Sequence, residues 1–174
     1  VLASVLQPAY NPFTIATVSG DRGTGLQIIW SVYLSQTCAI LEAAYLRFPG
    51  SVRWDALTTI ALVAMALGLT LRTWAVLTLR DLFTMHRAVR QDHILHSEGP
   101  YRIVRHPSYL GAFVLYMAST VFLHAWFSTA LGAAVLTMAF VRRIHWEEQL
   151  LLGRFGAEYE AYRARIRRFL PGLW

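Results

Sequence analysis

The chain has 174 residues, 56% of them hydrophobic and only 15% charged, and its formal net charge of +6 rests on 16 basic residues that are all arginine. A soluble domain carries about a quarter charged residues, so this composition points to a membrane rather than to an oversized core, in a length that suits one domain. The arginines flank apolar runs without a basic–aromatic platform, which excludes nucleic acid as the partner, and the lone Cys38 excludes a disulfide framework or a thiol-rich metal site within the chain.

Residues 1–20 carry Pro8 and Pro12, so an interfacial piece or short helix is expected there rather than a span. The opening VLASVLQPAYNPF lacks the charged start of a signal peptide. A hydrocarbon core of about 30 Å needs about 20 apolar residues in a helix. Four segments approach that: 26–46, 54–79, 107–123 and 125–141. The second is slightly long and expected to tilt. The third and fourth meet almost directly at His124, which makes them an antiparallel hairpin.

Arginine placement orients the chain. Arg47 and Arg53 follow the first span; Arg80, Arg87, Arg90, Arg102 and Arg105 occupy the long loop after the second; seven more, from Arg142 to Arg168, follow the fourth. The positive-inside rule puts the long loop and the C-terminus together on the cytoplasmic face. Arg72, near the cytoplasmic end of the second span, is expected to snorkel. Glu42, nearer the other face, is read either as solvated at the outer interface or as lining a polar cavity, and a direct pair with Arg72 is not expected.

The C-terminal stretch from Glu147 reads as an amphipathic helix with a break at its glycines. Leu152, Phe155, Tyr159, Tyr162, Ile166 and Phe169 recur at steps of three and four, Arg154 and Glu158 are spaced to interact, and Pro171 ends the helix. Taken alone it is a membrane-surface anchor. The expected fold is therefore all-α: an integral membrane protein of about four transmembrane helices, an interfacial N-terminal segment and an amphipathic C-terminal helix. It forms one domain over 1–174, membrane-spanning in 1–90 and carrying its chemistry in 91–174.

Two clusters can carry chemistry. In GPYRIVRHPSYLG, 99–111, Pro107 suits the first turn of a helix and holds His106 extended before it. Arg105 and His106 then stand at a helix N-terminus able to receive a carboxylate or phosphate, with Tyr101 and Tyr109 as aromatic walls. Headgroup anchoring by the same Tyr and Arg residues explains the pattern equally well. In RRIHWEEQL, 142–150, a continuing helix places Arg143 and Glu147 one turn apart, with Glu148 about 100° further round. Such carboxylates can bind a cation, hold a ribose or act in acid–base work; a solvated helix end is the plain alternative. His93 and His96 have an HxxH spacing, with His86 and His106 nearby, but the segment is loop-like and no metal site is expected. The glycines of GDRGTGLQ follow no strand, no P-loop is present, and Ser108 has no adjacent base.

HILHSEGPYRIVRHPSYLG, followed after a helical hairpin by RRIHWEEQLLLGRFGAEYEAYRARIRRFLPGLW, resembles the isoprenylcysteine carboxyl methyltransferase family. That family belongs to a wider set of membrane methyltransferases which includes the phospholipid N-methyltransferases. The resemblance covers roughly 91–174, while the N-terminal part is similar only in being membrane-spanning. It implies S-adenosylmethionine as methyl donor, bound between the loop and the C-terminal segment on the cytoplasmic side. It implies His93, Leu95, Gly99, Tyr101, His106, Tyr109 and Glu148 as cofactor-binding positions, and Arg143 and Glu147 as the pair near the reacting end. Arg105, or the helix end at Pro107, can meet the donor's carboxylate. The chain departs from eukaryotic members in carrying His145 and Trp146 where they often have more acid, at the acceptor end. The implied acceptor is lipophilic, a prenylated protein or small molecule entering from the bilayer among membrane lipids. Methylation of a phospholipid amine or of a small thiol are the neighbouring alternatives. An NADPH-dependent sterol-type reductase and a lipid-binding scaffold are the alternatives of other classes. The all-arginine basic set points to a GC-rich prokaryotic source, and so to an inner membrane with the active site facing the cytoplasm.

Overall fold

The computed structural model describes residues 23–79 and 97–169. His93 and Leu95, the partner histidines of the HxxH motif, Arg80, Arg87, Arg90, Pro171 and the N-terminal segment lie outside the described residues. Among the described residues the regular elements are all helical, joined by short turns and extended stretches, with one isolated bridge. Helix α1 spans Thr24–Leu41 and runs on into a π-helical turn, Glu42–Leu46. Helix α2 spans Ala56–Leu79, α3 Pro107–Phe122, α4 Trp126–Phe155 and α5 Ala157–Arg165. The four expected apolar segments lie in α1 to α4, with ends shifted by a few residues except that α4 continues past the expected end at 141 to Phe155. Helices α2 and α4 are long and apolar enough to cross a membrane. Large apolar side chains such as Trp30 and Leu67 face outward, 69% and 64% exposed, as lipid-facing surfaces require.

Local chemistry sets the helix ends. The Asp55 carboxylate accepts the Thr58 backbone N–H at 2.9 Å and so caps α2. That bond, with His124 adding to it against desolvation, holds the Asp55 carboxyl down at about 2. The α3–α4 joint turns through His124 at φ 53°, a left-handed conformation that histidine adopts more readily than most residues. The turn closes with the Ala125 N–H donating to the Thr120 carbonyl at 3.0 Å. Helix α4 continues without interruption through Arg142–Glu148 and stops at Gly156, where φ is 49°. Arg154 and Glu158 therefore fall on different helices and are not one turn apart on a continuous face.

Helix α3 lies between α2 and α4, and α1 packs along α4. Two glycines decide how close α2 and α3 come. A Cβ on Gly111 would sit 2.6 Å from the Gly68 carbonyl oxygen and 2.7 Å from the Arg72 nitrogen, all backbone atoms that cannot swing aside. The two backbones are thus in direct contact, as small residues allow in membrane helices. Gly111→Ala is expected to push α3 off α2 at an overpacking cost of about 1–3 kcal/mol. A lower unfolding midpoint in detergent measures it, and an unchanged midpoint contradicts the contact. The core behind α3 is Ala112, Leu136, Phe140 and Ile144.

Three expectations are corrected by this packing. Arg72 does not snorkel: it is 8% exposed, and its Nη1 donates to the Ser108 carbonyl at 3.2 Å, because the glycine contact carries the first turn of α3 within its reach. Glu42 is neither solvated nor lining a cavity. Its carboxylate accepts the Phe127 and Ser128 backbone N–H groups at 3.1 and 2.7 Å and the Ser128 hydroxyl at 2.8 Å, so it caps α4 from a different helix. The C-terminal helix is not a free surface anchor, because Tyr159 and Tyr162 are buried against the protein. It is also shorter than its apolar repeat suggests, since Ile166 and Phe169 follow α5 in non-helical chain, Phe169 packing on the core.

The antiparallel packing sorts the chain by end. Glu42, Asp55 and His124 meet at one end. Thr24, the C-terminal part of α2, the start of α3, Arg143 and the C-terminal segment meet at the other.

Candidate active site

The site begins at the turn before α3. Glu98 leads into a 3₁₀ turn, Gly99–Arg102. Gly99 has φ 56°, and a Cβ there would stand 3.1 Å from Thr78 Oγ1, so both conformation and space favour glycine. Tyr101 is buried with its hydroxyl donating to the Ala75 carbonyl at 3.4 Å. The Tyr162 hydroxyl of α5 donates to the Tyr101 carbonyl at 2.8 Å. Burial pushes the Tyr162 phenol up to about 12, partly offset by Arg105, which keeps it a neutral donor. Gly99 and Tyr101 thus anchor the loop on α2 and α5.

After that turn the chain extends and pairs in parallel with the residues that follow α5. The Arg105 N–H donates to the Arg167 carbonyl at 2.8 Å, and the His106 N–H to the Arg168 carbonyl at 3.3 Å. The pairing lays the Arg-His-Pro entrance directly beneath the C-terminal segment. Pro107 follows as the first residue of α3, as its missing N–H favours.

Beneath this pairing lies Glu148, 4% exposed. Arg168 grips it from one side, Nη2 to Oε2 at 2.6 Å and Nε to both oxygens at 3.1 and 3.2 Å. Arg105 Nη2 and His106 Nε2 approach its Oε1 at 3.2 and 3.3 Å. A buried carboxylate is tolerable only when charge and hydrogen bonds compensate its desolvation, and here three basic groups do so. Arg168 is the member that sequence reading missed. Its only signal is its place just before the Phe-Leu-Pro of the C-terminal motif, which says nothing about a partner 20 residues earlier.

A second cluster lies one turn back on α4. Arg143 Nε donates to Glu147 Oε1 at 2.8 Å, as the i, i+4 spacing predicts. The Tyr109 hydroxyl donates to the same oxygen at 2.6 Å, and Arg143 Nε also lies 3.2 Å from the Tyr109 oxygen. Arg143 Nη1 donates to Thr24 Oγ1 at 3.3 Å, and its guanidinium carbon lies 4.7 Å from the centre of the Trp146 ring. Thr24 is a second residue missed from sequence, 119 positions from its partner. Tyr109 joins the clusters, its ring 6.0 Å from His106 and 5.4 Å from Phe140.

The structure therefore gathers Arg105, His106, Tyr109, Arg143, Glu147 and Glu148 at one end of the bundle, with Gly99 and Tyr101 supporting the loop. Charge is unevenly shared among the described residues: Glu147 pairs with Arg143, whereas Glu148 faces Arg105, Arg168 and His106. The surplus favours an anionic group. Arg105 also keeps its Nε–H buried without a partner among the described residues. A donor with a carboxylate, an amine and ribose hydroxyls fits this set, with the carboxylate drawn to the surplus cations and Glu148 as the acceptor available to N–H and O–H groups.

Residues 58–153 match the sequence model of the isoprenylcysteine carboxyl methyltransferase family. The chain is similar to a protein-S-isoprenylcysteine O-methyltransferase of Schizosaccharomyces pombe, 35% identical over 131 residues that make up 72% of this chain and 56% of the yeast protein. It is similar to a probable protein-S-isoprenylcysteine O-methyltransferase of Oryza sativa subsp. indica, 32% identical over 152 residues, 85% of this chain and 80% of the rice protein. Among solved structures it resembles the eukaryotic intramembrane Ras methyltransferase, isoprenylcysteine carboxyl methyltransferase, with a TM-score of 0.74 at 26% identity over 98% of this chain and 60% of that one.

Proposed function

The chain belongs to the isoprenylcysteine carboxyl methyltransferase family, and from that membership we propose that it is a membrane enzyme that methylates the carboxylate of a prenylcysteine, with S-adenosylmethionine as donor. S-adenosylmethionine supplies an electrophilic methyl group on a sulfonium. Arg105, His106, Tyr109 and Glu148 are the described residues proposed to hold it, with Gly99 and Tyr101 shaping their loop. His93 and Leu95 keep the role that the family resemblance implies. Residues 1–174 are read as one domain, with this chemistry in 91–174.

The observation that carries the choice of acceptor is the state of Glu147. Its Oε1 accepts from both Arg143 and Tyr109, at 2.8 and 2.6 Å. That oxygen is already engaged by two donors, so Glu147 is placed to hold Arg143 rather than to take a proton from an acceptor. An amine or thiol acceptor needs a base, whereas a carboxylate is already a nucleophile and needs orientation. Arg143, fixed by Glu147, Tyr109, Thr24 and Trp146, is the group proposed to orient it. Glu147, as a carboxylate, and Tyr109, keeping its hydroxyl proton, hold Arg143 in place.

All four long helices are proposed to cross the bilayer, with the arginine-rich end and the active site on the cytoplasmic face, by the positive-inside rule. The all-arginine basic set favours a prokaryotic inner membrane. A lipophilic acceptor reaches the site sideways, between helices. The test is transfer of a labelled methyl group in membranes offered prenyl-thioether acids, phosphatidylethanolamine or small thiols. Base-labile label on the acids alone is expected. Label on the amine or thiol overturns the carboxylate assignment. Binding of NADPH in place of adenosylhomocysteine overturns the methyltransferase reading altogether.

A further inference from the structure

Beside the Glu148 cluster lies a cavity of about 190 Å³ lined by Arg105, Arg163, Ile166, Arg167 and Arg168. Four guanidiniums surround it. Arg105 and Arg168 both reach Glu148, and among the described residues neither Arg163 nor Arg167 makes a side-chain ion pair. Arg105, 7% exposed at its side chain, adds the buried Nε–H without a partner. So much like charge gathered at one place is repulsive unless an anion offsets it. The volume holds several waters' worth of ligand, at about 30 Å³ each.

We propose that this cavity binds a phosphate-bearing anion, the headgroup of an anionic lipid, and that the bound headgroup holds the C-terminal segment down over Glu148. Phosphate is the chemistry that several guanidiniums grip best. A lipid is the favoured source because of the cavity's level in the fold. It lies at the end of the bundle where the apolar run of α4 gives way to Arg142 and Arg143, the depth of headgroups if the helices span as proposed above. Arg105 and Arg168 each line the cavity and also touch Glu148, and their backbones belong to the paired segments 104–106 and 167–168. A headgroup held by Arg163 and Arg167 offsets the repulsion these exert on Arg105 and Arg168, leaves those two to the cofactor side and strengthens that pairing. Headgroup and cofactor therefore favour each other's binding, as linkage requires. This coupling rests on the methyltransferase reading proposed above and the lipid source on the proposed spanning of the helices; the anion site itself rests on neither.

The test uses the full chain in nanodiscs with Arg163→Gln/Arg167→Gln, which alters two exposed side chains outside the Glu148 cluster, and Arg154→Gln as a basic control outside the cavity. Native mass spectrometry should find phosphatidylglycerol retained over phosphatidylcholine by the unaltered chain, and retention lowered on the order of tenfold in the double variant but not in Arg154→Gln. Adenosylhomocysteine should bind several-fold more tightly in phosphatidylglycerol than in phosphatidylcholine, and the double variant should lose that difference. Equal retention by the unaltered chain and the double variant, or an equal loss in Arg154→Gln, overturns the site. If inorganic phosphate in phosphatidylcholine discs saturates the same arginines and phosphatidylglycerol is not retained, the lipid source is overturned. A chain that retains lipid through these arginines but binds no adenosylhomocysteine overturns the methyltransferase reading and leaves the lipid site standing.

Discussion

Glu148→Gln is expected to lower adenosylhomocysteine affinity by at least about a hundredfold, measured by calorimetry on the detergent-solubilised chain. The substitution keeps the shape and removes the negative charge that Arg105, Arg168 and His106 share. Removing one partner of a buried ion pair costs about 3–5 kcal/mol, because the remaining charges are left uncompensated. Here that cost falls on the pairing between 104–106 and 167–168, so the loop and the C-terminal segment that flank the proposed cofactor site should separate together. Protease cleavage after Arg165 or Arg167 should accelerate in the same variant. Glu148→Asp, which restores the charge one methylene short, should recover part of the affinity. Unchanged affinity in Glu148→Gln would remove Glu148 from the cofactor site.

Arg143→Ala is expected to reduce turnover by about a hundred- to a thousandfold, the scale seen when one preorganised donor to a reacting oxygen is removed, while adenosylhomocysteine affinity stays within about threefold. The split follows from the geometry. Arg143 touches Glu147, Tyr109, Thr24 and Trp146, whereas Glu148 is held by Arg105, His106 and Arg168. Arg143→Lys restores the charge but not the fork, since it is Nε that meets Glu147 and Tyr109 while Nη1 reaches Thr24. It should recover only a minor part of the rate. Normal turnover in Arg143→Ala would end its proposed catalytic role, and a parallel loss of cofactor affinity would make it a structural residue instead.

Much of the candidate site is legible in local sequence. The Arg143–Glu147 pair follows from a spacing of four on a helix that does not break, and His106 at the entrance to α3 follows from Pro107. That the two basic segments share one end of the bundle follows from arginine counts in successive loops. Glu42, Arg72 and Thr24 resist such reading for one reason: their partners are Ser128, Ser108 and Arg143, between 36 and 119 positions away. A carboxylate near a span end looks the same whether it meets water or caps another helix. Arg168 resists it differently. It lies between Ile166 and Phe169 of the apolar repeat, which suggested a continuing helix, whereas the chain leaves α5 at Arg165 and turns extended to pair with the loop before α3.

Sequence alone indicated a helical membrane protein, the apolar parts of α1 to α4, and which residues stand at the ends where chemistry is possible. Hydropathy, capping and the 3.6-residue period act over neighbouring positions, so they can be read without coordinates. Tertiary structure decided which charge neutralises which. Gly68 and Gly111 let two backbones touch, antiparallel packing brings Thr24 to Arg143, and the extended C-terminal residues carry Arg168 onto Glu148. Buried charges are governed by the few ångströms around them, and only the packed chain sets those distances.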